Sequence, residues 1–217
     1  MKLPDHWYYR VERVNELLAN RNVTGSIALV VIAAIIGGVL LSRHHPLPRG
    51  IGELAPPIQH EVERPAWRHA GHTLTPIAEF EVEALVVHAR TYRWGRFARV
   101  SATDLGVAWS PVVRDDVLDA LAFDQYRRFL FFEWQRDELP IPVVELEHAV
   151  SNIHTIGASS AIRRQLRRVN AGDIVRLRGV LVDVTGDDGW VVPTSRGRSD
   201  RGAGACEVLW VESVSTR

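Results

Sequence analysis

The chain has 217 residues, of which 46% are apolar and 24% charged, with 26 basic residues against 26 acidic ones. At ~150 residues per domain this allows one globular domain and an additional segment, and it excludes a disordered or collagen-like chain. Zero net charge leaves no global footprint for nucleic acid. The single cysteine, Cys206, excludes an internal disulfide, a cysteine-based zinc site and an Fe–S cluster.

Residues 5–20 have helical spacing, with Tyr8, Val11, Val14 and Leu18 on one side and Trp7, Tyr8 and Tyr9 as interfacial aromatics. They are read either as an amphipathic helix at the membrane surface or as an extension of the helix that follows. Residues 22–42 contain no charge, and ten of the fifteen residues from Ile27 to Leu41 are Ile, Leu or Val. As a helix this stretch is roughly 31 Å long, the thickness of a bilayer core, and is expected to cross the lipid once. A cleavable signal peptide fits less well, because its charged region would not run for 21 residues and no small-residue cleavage site follows. Lys2, Arg10, Arg13 and Arg21 precede the span, and only Arg43 and Arg49 follow closely. The positive-inside bias therefore puts residues 1–21 in the cytoplasm and the C-terminal part outside, in the periplasm of a bacterium with two membranes.

Residues 43–76, with six prolines, read as an extended spacer. The domain is expected over 77–217. Glu79–His88 alternates as a half-buried strand. Further strands are expected at Arg96–Val100, Leu105–Trp109, Arg128–Trp134, Ala149–Ile156, Ile174–Val184, Gly189–Val192 and Glu207–Ser213. Asp115–Ala122 and Ser160–Val169 read as helices, the second capped by Ser159 or Ser160. The fold class is α+β: a transmembrane helix, then a β-rich domain, as a bent sheet or small barrel, with two short helices.

Four groups of residues bear on chemistry. Asn152 and His154 share a strand face, as a base beside its orienting amide or as a buried histidine held by hydrogen bonds. The loop from Ser195 to Glu207 carries Arg196, Arg198, Asp200, Arg201, Gly202 and Gly204 ahead of Cys206. Its glycines suit an anion nest and its arginines a carboxylate or phosphate; the plainer reading is a glycine-rich turn with a solvated rim. Cys206 is a nucleophile if a histidine supports it, or a core residue with Val208 and Trp210. Arg163, Arg164, Arg167 and Arg168 form two ridges on one helix, fit for phosphate or lipid head groups together with Arg176 and Arg178, or simply for solvent. His44, His45, His60, His69 and His72 offer no compelling ligand spacing, so no metal and no cofactor are expected.

Three strings together resemble an uncharacterised family of bacterial, mainly proteobacterial, single-pass membrane proteins: Ser151-x-x-His154, Gly172-Asp-x-Val-x-Leu-x-Gly-x-Leu-Val182, and Arg198-x-Asp200-x-Gly202-x-Gly204-x-Cys206-Glu207. The resemblance covers roughly residues 80–212 and implies membrane anchoring and the extent of the domain, with no activity attached. The first functional expectation is a membrane-anchored binding or assembly module of the cell envelope, with the bilayer and an envelope protein or a second copy as partners and no nucleic acid. The second is an envelope hydrolase or transferase that uses His154 and Cys206, with Asn152 and Asp200 beside them and the Arg-rich loop on an anionic substrate. The third is phosphate or lipid head-group binding through Arg163–Arg168.

Overall fold

A computed structural model describes residues 47–134, 138–197 and 205–217. The expected cytoplasmic segment, the 22–42 span and residues 198–204 of the Arg-rich loop lie outside the described residues. No helix of the described residues is long and apolar enough to cross a membrane.

The strands are β1 (Ile58–His60), β2 (Trp67–His69), β3 (His72–Thr91), β4 (Thr103–Ala108), β5 (Leu121–Tyr126), β6 (Phe129–Trp134), β7 (Val150–Gly157), β8 (Ile174–Gly186), β9 (Val191–Val192) and β10 (Glu207–Thr216). Three short helices interrupt them: α1 (Asp115–Leu118), α2 (Val143–His148) and α3 (Ser160–Leu166). The class is therefore α+β and largely β, with one helix more than the sequence suggested.

The main sheet runs β3-β4-β7-β10-β8, and β8 pairs back with β3, which closes a five-stranded barrel. All these pairings are antiparallel except β7 with β10. Two features let β3 serve both edges of the closure. It is 20 residues long, and its register shifts at Pro76/Ala78 and at Val86/His88, where bulges bend a strand. Pro76 has no ladder donor and sits at one of these shifts. This Greek-key connectivity, with α3 between β7 and β8, is that of OB-fold barrels, a statement about architecture that carries no activity.

Alternation fills the interior. Leu85, Leu105, Ile153, Leu177, Leu181 and Leu209 are fully buried there. The opposite face of the same strands is also covered over much of its length. Leu74, Ile156, Val180, Val182, Val184 and Val208 form a second apolar cluster with Phe97 and Val100, flanked by Trp67, Trp190 and Trp210.

Several expectations change. Residues 47–76 do not form a free spacer: Leu47 and Ile51 pack on the interior cluster, Leu54 is buried, and β1 and β2 pair with β3. The prolines break the ladder into short pieces but leave enough side chains to cover the barrel, and the described residues pack on it from Leu47 instead of from Ile77. Arg96–Val100 holds a 3₁₀ turn at Phe97–Arg99 in place of a strand. The Asp115–Ala122 helix stops at Leu118, because Leu121–Tyr126 is drawn into a hairpin with β6. Helix α3 ends at Leu166, three residues short of the expected end, and Ser159 caps it through Ile162 N at 3.2 Å.

Candidate functional site

The site lies on the outer face of the β4–β7–β10 side, at the polar end of that face. In the antiparallel β4–β7 register Asp104 is opposite His154 and Gly106 opposite Asn152. In the parallel β7–β10 register Val208 is beside His154. Cys206, two residues earlier, shares the face of Val208 and comes next to Asn152. These strands thus bring four polar side chains together, all nearly or fully buried: Asp104 0%, Asn152 4%, His154 6% and Cys206 9% exposed.

The roof is the β5–β6 hairpin. Its two-residue turn, Arg127–Arg128, has φ of 48° and 68°, the left-handed pair that a type I′ turn needs and that Asn-Gly normally supplies. For two arginines this conformation costs on the order of 1 kcal/mol each, and contacts with the barrel hold it. The Arg128 carbonyl accepts from Asn152 Nδ2 at 2.7 Å. The Arg128 guanidinium reaches Asp104 Oδ1 at 2.9 Å and the Ser101 carbonyl at 2.9 Å, and it lies over the rings of Tyr92 and Phe97. Gln125 is buried under the hairpin, where its Nε2 donates to Asn152 Oδ1 and its Oε1 meets His88 Nδ1 at 3.1 Å. Gly106 makes room for this roof, since a Cβ there would come within 2.6 Å of Leu130 Cδ1.

The electrostatics centre on Asp104. Its Oδ1 takes both Arg128 and His154 Nδ1, the latter at 3.0 Å. The imidazole N–H is not aligned on that oxygen, and Oδ2 has no hydrogen-bond partner, so the contact works by charge more than by a directed bond. Burial pulls the His154 pKa down, but the contacts with Asp104 and Cys206 outweigh it and push the value up to about 9. At neutral pH His154 is therefore an imidazolium between a carboxylate and a sulfur. Phe97 packs edge-on against it at 5.3 Å. Cys206 Sγ is 3.7 Å from Asn152 Nδ2 and 3.8 Å from the Arg128 carbonyl. Burial instead lowers the His88 pKa.

The sequence candidates separate on this geometry. Asn152, His154 and Cys206 converge. Cys206 is buried on the face it shares with Val208 and Trp210, as the core reading expects, and stands at the polar end of that face. Arg196 pairs with Asp183 Oδ2 at 2.7 Å on the rim. Arg198, Asp200, Arg201, Gly202 and Gly204 lie outside the described residues. The base of their loop is closed beside the thiol, since Ser195 N donates to the Cys206 carbonyl at 2.9 Å. Arg163, Arg164, Arg167 and Arg168 belong to α3 and its C-terminal turn, not to this cluster. Arg176 and Arg178 do not join them, because both pair with Glu81 on β3. Among the described residues no group of His, Cys, Asp and Glu could hold a metal ion.

Sequence reading missed Asp104, Gln125 and Arg128. The one available signal was Asp104 itself, a carboxylate ahead of the apolar run Leu105–Trp109 with no nearby basic partner. Family models, curated proteins and solved structures contain no match to this chain.

Proposed function

We propose that this chain is a single-pass inner-membrane protein whose periplasmic barrel performs acyl transfer or hydrolysis with Cys206 as the nucleophile. The observation that carries the reading is the contact series Asp104–His154–Cys206 on one barrel face. Nucleophile, base and orienting carboxylate in contact are the recurring parts of covalent acyl chemistry. In the attacking form the Cys206 proton already resides on His154, whose imidazolium stands beside the sulfur as its counter-ion, and Asp104 and its ion pair with Arg128 hold the ring in place. The thiolate attacks a carbonyl carbon to form a thioester. The leaving group collects the proton from His154, and water or a second acceptor then releases the acyl group. Asn152, with an amide N–H on the sulfur side, is placed to stabilise the oxyanion. The loop closed beside Cys206 carries Arg196, Arg198 and Arg201, which suits an anionic substrate. The Arg127–Arg128 turn covers the sulfur, so substrate enters by displacing the hairpin tip, where strained backbone is already concentrated. The uncharged stretch 22–42 and its flanking arginines support the membrane placement.

The test is covalent labelling of the full chain, in detergent, with an acylating thiol probe. Cys206 is expected to acylate, with turnover reduced about 10²- to 10⁴-fold in H154A and abolished in C206A. A Cys206 that labels no faster than a free thiol, and equally fast in H154Q, would overturn the catalytic reading and return the domain to the binding-module expectation.

A further inference from the structure

The chain is fixed to the barrel from Leu47 onward. Leu47 and Ile51 pack on the interior cluster. Arg49 grips Asp119 through both carboxylate oxygens at 2.8 and 2.9 Å. Gly50 N donates to Asp115 Oδ1 at 3.0 Å, and Leu54 and Ser110 exchange two hydrogen bonds, each of 3.0 Å. The apolar run ends at Ser42. Five residue steps from Ser42 to Leu47 reach about 18 Å at full stretch, whereas a domain of this size is roughly 40 Å across. The chain therefore enters the domain only a few residues after that run, at the end of the barrel that receives Leu47.

That end includes the turn after α3. Pro48 Cδ lies 3.6 Å from the Cβ position of Gly172, four residues beyond Arg168. Arg164, Arg167 and Arg168 are exposed, and among the described residues none has a carboxylate within ion-pair distance. The acidic groups nearby are engaged: Asp119 by Arg49, Asp115 by Gly50, Asp116 by Arg114 at 2.6 Å, and Asp173 by Asn170 N at 2.8 Å. Arg163 is held back by the Gly157 carbonyl at 3.3 Å.

We infer that Arg164, Arg167 and Arg168 bind anionic phospholipid head groups of the membrane that holds the chain, and so fix the orientation of the barrel on that surface. The inference rests on residues 22–42 crossing the bilayer, as proposed above. Each arginine near an anionic surface strengthens association about fivefold, and three together about 100-fold.

Hydrogen exchange of the full chain in nanodiscs tests this. In discs of phosphatidylcholine with about 30% phosphatidylglycerol, amides 163–170 are expected to exchange about tenfold more slowly than in pure phosphatidylcholine. The difference should vanish in about 0.5 M NaCl, where screening acts within roughly 4 Å, and in R164Q/R167Q/R168Q, while β7 amides stay unchanged as a check on folding. Equal exchange in the two lipids, with the chain incorporated in the discs, would overturn the arginine contact alone. A full chain that leaves liposomes on carbonate extraction would overturn the membrane span and this inference with it.

Discussion

The two faces of β4 and β7 are buried to the same degree but by opposite means. Leu105 and Ile153 point inward and pack within the interior apolar cluster. One residue away, Asp104, Asn152 and His154 point outward under a hairpin and meet charges, amides and a thiol. Burying the inner set is favourable at about 25 cal/mol per Å². Burying the outer set costs free energy unless each group finds a partner, and Asp104 Oδ2 has none. Further along the same outer face, Ile156 and Val208 show that apolar packing was available. The polar end is thus a place where the fold gives up stability, which is how functional sites commonly differ from structural ones.

The sharpest way to break this contrast is to alter the outer face without unfolding the inner one. Cys206→Ser should remove thiol acylation completely and leave the unfolding midpoint nearly unchanged; retained acylation would move the nucleophile elsewhere. The converse change, Leu105→Ala, should cost 2–5 kcal/mol in denaturant unfolding while the folded fraction still acylates at the normal rate. Gly179→Ala should cost about 1–3 kcal/mol, because its Cβ would fall 1.9 Å from the Trp210 carbonyl oxygen at the bulge of β10. A melting curve equal to that of the parent chain would refute that packing.

A subtler effect follows from pH. The folded pKa of His154, about 9, lies above its ordinary 6.5. Its contribution is therefore fully present below about pH 6.5 and is lost as pH rises through about 9. Stability should fall across that window by on the order of 1–3 kcal/mol, and His154→Gln should flatten the fall. Smallest of all is the exposed Glu81–Arg176 pair. Glu81→Gln should leave the unfolding midpoint where it is, as expected of a solvated ion pair.

Much of the barrel was legible from period-two alternation. Glu79–His88, Leu105–Trp109, Ala149–Ile156, Ile174–Val184 and Glu207–Ser213 all fall on strands, because each has a face that must be dry. The misreadings share one cause. Phe97–Arg99 and Leu121–Tyr126 took their structures from partners outside their own segments: Phe97 packs on His154, and β5 follows the register of the hairpin it forms with β6. Local propensity carries no information about such partners. The proline-rich stretch misled in the same way, since proline shows where a ladder breaks and not whether the chain stays on the surface.

By itself the sequence determined the strand-rich class, the uncharged stretch of membrane length and the shared face of Asn152 and His154, because these depend on residues a few positions apart. Only the tertiary structure decided that Asp104 and Cys206 flank His154, that an arginine turn roofs them, and that the domain begins within five residues of the apolar run. Those facts depend on strand register and barrel closure, which join positions up to about a hundred residues apart and leave no periodic trace along the chain.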